Sequence, residues 1–502
     1  MSRPPLRGRL KANAVVLLRL INSPSTWKDS PGSSYDDGSI SPRNKKPAFM
    51  VRRFLFGLPE RRAAMRILMV SNDFAGASLA RRLLLEVNEV RAFVADPSFE
   101  RILHGLIPRV PTLDQGLDWI GRDGLAVVDD CGFGAWQDTA RKDGFAVVGG
   151  SAFGDRLERD PEYAQDLMAS LGMPVLPARR FANCPAAARH VAADPRPWVV
   201  KFNGAAPKAA TFVGELPCGS DAADFLHGCA CACNSACNDC GPVLQPGVSG
   251  QEIGVGRYFN GREWVGPVEL NIEHKRLFPG NLGPNTYEMG TLMWYADSHP
   301  LFERVLAPLA PLLRDHGHVG DVDVNCIVNE EGVFPLEITA RFGWPATQAQ
   351  MALHESPWSG FLQSVARGLP VDLRWKPGYA VALFLGLPPF PFAPHADRRG
   401  SCAMGLPVRF RRPLTEDESW HLHFESCALQ QDAARAAGFV VCDDSGYFAH
   451  ATGHGPCPDS ARRQALDLAR LVAVPGIFYR EDIGTKGTET IHAVNTLLAS
   501  LR

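Results

Sequence analysis

The segment FPLEITARFGWPATQ, residues 334–348, sets one acidic residue, Glu337, in an otherwise apolar strand. Arg341, a Phe-Gly turn and Pro345 follow it. A carboxylate in such a strand needs a partner, because burying an unpaired charge is costly. Side chains alternate along a strand, so Glu337 and Thr339 share one face while Leu336 and Ile338 point into the packing on the other. Just upstream, GDVDVNCIVNEEG (320–332) repeats the arrangement, with Asp321, Asp323 and Asn325 at period two and Val322, Val324 and Cys326 opposite. The Asn329-Glu330-Glu331-Gly332 step reads as the hairpin turn that joins the two strands. Oxygen ligands from adjacent strands then converge on one place. Hard divalent ions take such ligands and leave positions open for substrate phosphates, so the pattern suggests a nucleotide-metal site. A solvated sheet face is the alternative reading of the same pattern.

Two lysines come earlier, in RPWVVKFNGAAPKAATFVGE. Lys201 ends a predicted strand and Lys208 sits in the small-residue loop that follows, an arrangement suited to phosphate because a compact ammonium neutralises charge while the loop lies close. In the region 242–290, Gln245 and Glu252 flank a loop, and His274, Lys275 and Arg276 lead into a Gly-Pro-Asn-Thr loop at 283–286, which includes Asn285 and Thr286. A basic cluster beside a polar loop suits an anionic substrate.

These residues need a scaffold of several domains, since 502 residues exceed what one core supports. Composition is that of an ordinary globular chain, 45% hydrophobic and 21% charged with net charge −2. It carries no general polyanion-binding signature, so no nucleic-acid partner is expected, and no apolar run of about 20 residues suggests a membrane span. Thirteen cysteines with no clear secretory signal argue for free thiols in a reducing compartment, and a cytoplasmic location is expected. Cys231, Cys233, Cys237 and Cys240 have a spacing that four zinc ligands could adopt, but the second ligand pair of a zinc ribbon is missing and the run reads as alanine-cysteine low complexity.

Residues 1–64 hold 13 basic against 4 acidic residues and read as a disordered extension that precedes the fold. From Met65 the chain alternates strands and helices (RILMVS, VRAFVAD, LAVVDD, FAVVGG), which predicts a small parallel sheet over 65–155. A helix starting at Pro161 opens a second region, 156–375. The last region, 376–502, is Pro-rich at first and then resumes strands. The fold class expected is α/β (α+β).

The ordered set VVKFNG (199), SGQEIG (249), EHKR with GPNT and Met289-Gly290 (273–290), LEITARFGWPATQ (336) and YREDIG (479) resembles phosphoribosylamine-glycine ligase, an ATP-grasp enzyme of purine biosynthesis. The resemblance runs from about Met65 to the end. It implies an N-terminal substrate domain, a lid at about 173–245 within an ATP-grasp domain, and a C-terminal domain. The chemistry implied is ATP-dependent phosphorylation of a carboxylate, then attack by an amine on the acyl phosphate, with glycine and phosphoribosylamine as the family's substrates and ATP with Mg2+ or Mn2+ as cofactors. Small molecules are then the partners, and a monomer or homodimer the assembly. Residue by residue, the resemblance places Lys201 and Lys208 on the ATP phosphates, Gln245 and Glu252 near adenine and ribose, and Glu337, Asn325 and Thr339 on the metal. It gives Arg341 and Lys275 catalytic roles, and Asn285, Thr286 and Arg276 contacts to substrate.

The departures concentrate on the substrates. The family's Arg-Phe-Gly-Asp-Pro-Glu reads Arg341, Phe342, Gly343, Trp344, Pro345, Ala346, which removes two acidic groups. The glycine-rich loop after the first strand keeps only Gly76, the Gly-Pro-Glu motif reads Asp129, Asp130, Cys131, and Pro161 replaces a lysine. A paralogue joining another amino acid to another amine, or a non-catalytic nucleotide-binding relative, are the rival expectations.

Overall fold

The computed structural model describes residues 64–202, 211–232, 241–392, 403–432 and 435–501. Lys208, Cys233, Cys237 and Cys240 therefore lie outside the described residues, as do residues 1–63, and the zinc and extension readings are not addressed by it.

The first sheet is parallel, in the order β2-β1-β3-β4, from β1 (Arg66–Ser71), β2 (Glu89–Val94), β3 (Leu125–Val128) and β4 (Val147–Val148). Ile67 to Val70 and Leu125 to Val128 are fully buried, as expected of strands covered on both faces by helices. The helices are α1 (Ala77–Leu85), α2 (Leu113–Ile120) and α3 (Gly134–Lys142). Then come α4 (Ala152–Arg159) and α5 (Pro161–Ser170). Helix α5 starts on proline, with the Asp160 side chain accepting from Tyr163 N, and the chain leaves it through Gly172 at φ +79°.

A small antiparallel sheet follows, in the order β5-β8-β6-β7, built from β5 (Arg179–Arg180), β6 (Trp198–Phe202), β7 (Phe212–Val213) and β8 (Pro242–Pro246). Two helices, α6 (Cys184–Ala193) and α7 (Ser220–Ala232), belong to the same region.

The central sheet has eight strands. Five of them are β9 (Gln251–Asn260), β10 (Trp264–Glu273), β13 (Gly290–Ala296), β14 (Val319–Val328) and β15 (Val333–Thr339), with the hairpin of β11 (Arg276–Phe278) and β12 (Leu282–Asn285) set aside from it. Three more come from beyond residue 375: β16 (Tyr379–Gly386), β17 (Leu422–Phe424) and β18 (Tyr447–Gly455), giving the order β15-β14-β9-β10-β13-β16-β18-β17. Val322, Val324, Cys326 and Val328 of β14 enter a buried cluster with Phe153, Leu157 and Met168 of α4 and α5, which leaves Asp321, Asp323 and Asn325 on the opposite face. Helix α8 (Ala346–Leu353) packs under that polar face, and its Thr347, Gln348 and Gln350 are fully buried.

One expectation is corrected here. Gly-Pro-Asn-Thr at 283–286 is not an open loop: residues 283–285 form β12, paired with β11 through Arg276 opposite Asn285 and Phe278 opposite Leu282. The Asn329–Gly332 turn, by contrast, closes as expected, with Asn329 N donating to Gly332 O at 3.0 Å.

Candidate active site

Five side chains from four strands and one connection meet at a single point. Asn325 on β14 pairs with Glu337 on β15, and across β9 lies Glu273 at the end of β10. Glu252 stands near the start of β9. Lys275, in the turn after β10, carries its ammonium into the centre, with Nζ 3.0 Å from Glu273 Oε2, 3.1 Å from Glu337 Oε1 and 3.5 Å from Glu252 Oε1. Burial works against the charge on Lys275, but Glu273, Glu337 and Glu252 outweigh it and lift its pKa well above the usual lysine value. Asn325 Nδ2 donates to Glu273 Oε2 at 2.8 Å and Glu252 Oε1 at 3.4 Å, while its own carbonyl, Oδ1, is buried with no partner. Thr286 holds this lysine from behind, since its backbone N and its hydroxyl both donate to Lys275 O, at 2.7 and 2.8 Å.

Lys201 on β6 belongs to the same field. Burial lowers its pKa, Glu337 raises it and Lys275 lowers it again. Beside Lys201 lies a cavity between the small sheet and the central one, lined by Pro161, Gln165, Ala178, Lys201, Val243, Gln245 and Leu336. Gln245 Nε2 donates to Leu176 O at 3.0 Å, and Gln165 Nε2 to Pro335 O and Leu336 O at 3.1 and 3.2 Å. Leu336 was expected in the core with Ile338. Only Ile338 is buried there, because the β14-β15 register shifts between Asn325 and Cys326 and β15 is the edge strand, which leaves Leu336 half buried on the cavity wall.

The remaining sequence candidates are placed differently. Thr339 pairs with Asp323, two residues along the ladder from the Asn325-Glu337 pair, and no hydrogen bond among the described residues draws it into the cluster. Glu252 stands with the carboxylates around Lys275. Arg341 does not face open space: Nη2 and Nε lie 2.9 and 3.3 Å from Glu158 Oε1, and Nη1 donates to Phe342 O at 2.7 Å. Arg276 reaches Glu215 at 3.6 Å and donates to Gly283 O at 2.9 Å, which ties the β11-β12 hairpin to itself. Asn285 Nδ2 donates to Thr211 O at 3.3 Å. Sequence reasoning missed Glu273 and Glu158. The signal for Glu273 was present, since Glu269, Asn271 and Glu273 run at period two, whereas nothing local to Glu158 points to Arg341, 183 residues away.

Along the same sheet face runs a second, more deeply buried set: Glu269, Asn271, Asp321 and Asp323. Asn271 Nδ2 donates to Asp323 Oδ2 at 2.9 Å, and Gln350 of α8 donates to Asp321 Oδ2 at 3.1 Å and to Glu269 Oε2. Burial raises Asp321 to about 7 and Asp323 to about 8, Glu273 and Asp321 adding to the latter. These groups approach so closely because β9 has glycine between them. A Cβ on Gly254 would lie 2.2 Å from Asn271 Oδ1, and one on Gly256 3.0 Å from Asp323 Oδ2.

A cluster of oxygen donors next to a lysine-lined cavity between two sheets can hold a nucleotide's phosphates with a hard cation. The orphaned Asn325 Oδ1 and the Glu337, Glu273 and Glu252 carboxylates are donors of the right chemistry, although no three acidic, His or Cys side chains among the described residues are already spaced round a metal position.

No known family model matches the sequence. It is similar to phosphoribosylamine-glycine ligase of Streptomyces coelicolor, 27% identical over 360 residues that cover 70% of this chain and 80% of that protein. The corresponding ligase of Brucella melitensis is 25% identical over 365 residues, 70% and 80% of the two chains. Among solved structures, phosphoribosylamine-glycine ligase of Thermotoga maritima superposes with a TM-score of 0.60 at 19% identity, over 84% of this chain and all of that one. The biotin carboxylase domain of Hydrogenobacter thermophilus 2-oxoglutarate carboxylase, in complex with MgADP and bicarbonate, superposes with a TM-score of 0.55 at 11% identity, over 83% and 92%. The architecture is that of the ATP-grasp proteins, in the mixed α/β class expected.

Proposed function

We propose that this chain, a relative of the phosphoribosylamine-glycine ligases built on the ATP-grasp fold, is an ATP-dependent ligase that forms a carbon-nitrogen bond between a carboxylate and an amine. The observation that carries the reading is the convergence of Lys275, Glu252, Glu273, Asn325 and Glu337, within electrostatic reach of Lys201 on the wall of the cavity between the two sheets.

In this reading the adenine end of ATP occupies the cavity beside Gln245 and Val243, and the phosphates reach Lys201 and Lys275. Magnesium would be held by Glu337 with Asn325 and Glu273, and supplies charge neutralisation for the transferred phosphoryl group. Lys275 would leave its carboxylates for the phosphates once the cation takes its place. The γ-phosphoryl group passes to the donor carboxylate, giving an acyl phosphate and ADP. The acceptor amine then attacks the acyl carbon, its proton leaves, and phosphate departs with the electron pair of the broken C–O bond. An anhydride of this kind must be kept from water, which assigns the small sheet over the cavity the part of a lid. Small-molecule substrates follow from the reading, with cytoplasmic purine-type chemistry as its setting.

The test is ATP-dependent phosphate release by the full chain with magnesium, a panel of amino acids, and acceptors that include phosphoribosylamine generated in place. Release that requires both an amino acid and an amine supports the reading, and nucleotide binding without release on any pair refutes it in favour of a non-catalytic relative.

A further inference from the structure

Glu425, just after β17, joins three parts of the chain. It is 3% exposed, and its carboxylate accepts from Gln348 Nε2 of α8 at 2.7 Å through Oε1 and from Ser78 N of α1 at 3.3 Å through Oε2. Oε1 also lies 3.1 Å from Nδ1 of His450 on β18, a residue that is 0% exposed. A carboxylate held by donors on both oxygens offers only lone pairs, so Nδ1 carries the imidazole hydrogen and Nε2 is left as an acceptor. Tyr447 Oη stands 3.5 Å from that Nε2. The contact is long for a hydrogen bond, as contacts of this kind often are outside the reactive complex.

Two other buried histidines of this region end differently. His421 Nδ1 and His423 Nε2 both meet the Thr452 hydroxyl at 3.0 Å, inside the core. The Glu425-His450 pair ends instead on a phenol that is only half buried. The Tyr447 ring is fixed against Phe384, with centroids 4.8 Å apart. Its field comes from three further elements, through Asp73 after β1, the buried Glu288 before β13 and Arg341 after β15. Burial, then Glu425, Glu288 and Asp73, raise the phenol's pKa well above the usual tyrosine value against the opposing Arg341, so Tyr447 keeps its proton at neutral pH. Asp73 lies where the chain leaves the carboxyl end of β1, the side on which open α/β sheets receive ligands. Glu288 is two residues from Thr286, which holds Lys275, and is itself raised by burial and by Glu273 of the Lys275 cluster. Tyr447 therefore stands between the sheet that would receive the acceptor and the cluster that would receive the phosphates.

We propose that Tyr447 is a catalytic residue of the amide-forming step, which takes the proton of the acceptor amine, and that His450 and Glu425 are positioning residues acting through it. As the amine nitrogen bonds to the acyl carbon and phosphate leaves with the electron pair of the C–O bond, an N–H proton passes to Tyr447 Oη. The phenolic proton passes at the same time to His450 Nε2. Glu425 stabilises the imidazolium so formed, in the way an outer carboxylate serves an imidazole in other acid-base chains. After product leaves, the imidazolium returns its proton to Tyr447, which gives one up to water. The inference rests on the ligase reading and adds to it the group that deprotonates the amine.

The test separates the two half-reactions. The full chain, with ATP, magnesium and a panel of amino acids, is assayed once with hydroxylamine, which attacks an acyl phosphate without a protein base. It is assayed again with phosphoribosylamine generated in place or methylamine as the acceptor. Tyr447→Phe, which removes only the hydroxyl, is expected to leave hydroxamate formation and the KM for ATP unchanged and to lower the rate of amide formation about 100-fold or more, the scale of a lost general base. His450→Gln is expected to do the same, with its melting temperature reporting the fold, and Tyr447→Phe decides the matter where that variant does not fold. Amide formation at the wild-type rate in Tyr447→Phe, an equal loss of hydroxamate and amide, or wild-type hydroxamate with no amide from either acceptor would overturn the inference. Absence of hydroxamate with every amino acid in the wild type would instead defeat the ligase reading, and the role of Tyr447 with it.

Discussion

Replacing Lys275 by methionine tests whether this ammonium stands in for a metal ion. Its Nζ lies within 3.5 Å of three carboxylates, with the lysine side chain 31% exposed, Glu273 19% exposed and Glu252 and Glu337 each 44% exposed. Breaking a fully buried ion pair costs roughly 3–5 kcal/mol, and an exposed one contributes about 0.2–1 kcal/mol. With one well-covered partner and two that solvent screens, the loss falls between, at roughly 2–3 kcal/mol. At about 2–4 °C per kcal/mol for a domain of this size, the variant's melting temperature should fall by about 4–12 °C. Magnesium should then recover most of that loss, because it binds the folded cluster and not the unfolded chain, and a ligand at about 100 times its Kd contributes roughly 2.7 kcal/mol. The wild type, in which the Lys275 ammonium already occupies the centre of the carboxylates, should respond less. Lys275→Arg, which keeps the charge, is the control. Differential scanning calorimetry of the three proteins with and without magnesium decides the matter. An undiminished melting temperature in Lys275→Met, or a magnesium response equal to the wild type's, would refute the reasoning.

Other substitutions probe the rest of the site. Glu337→Gln should reduce ATP-dependent phosphate release by about 100-fold or more at fixed magnesium, since a charge that stabilises the transferring phosphoryl group is lost, and steady-state kinetics across a magnesium series will show it. Lys201→Ala should raise the KM for ATP about tenfold or more through the loss of one phosphate contact, and unchanged ATP kinetics would remove Lys201 from the site. The pKa of Asp323 lies at about 8 in the fold against 3.8 for an ordinary aspartate, so the folded state binds the extra proton and stability falls as pH rises from about 4 to about 8, then levels. Asp323→Asn removes that term, so its stability relative to wild type should grow across this window in urea titrations at several pH values, and parallel curves would count against the burial argument. Gly254→Ala should destabilise by about 1–3 kcal/mol, because the new methyl meets Asn271 Oδ1 and the cluster must shift, as measured by urea unfolding.

Period-two patterning alone placed Asp321, Asp323 and Asn325 on one face of β14 and joined β14 to β15 through the Asn329–Gly332 turn, because side-chain alternation and turn chemistry are local properties. The four parallel strands from Met65 onward were legible for the same reason, as continuous apolar runs between turn signals. The resemblance carried by the ordered motifs pointed to the ATP-grasp architecture. Only the tertiary structure decided what those residues face. Glu273 joined the cluster because β9 sets the end of β10 close to β14, and Thr339 did not because its ladder partner is Asp323, two residues from the Asn325-Glu337 pair. Arg341 was claimed by Glu158, a partner 183 residues away that no local pattern announces. Residues 283–285 became part of a strand because Arg276 lies opposite Asn285 to pair with it. The loop after β1 reads in sequence only as missing glycines. Its form, and that of the loop after β3, came from long-range hydrogen bonds, in which Asp129 and Asp155 occupy amides that are distant along the chain and adjacent in space.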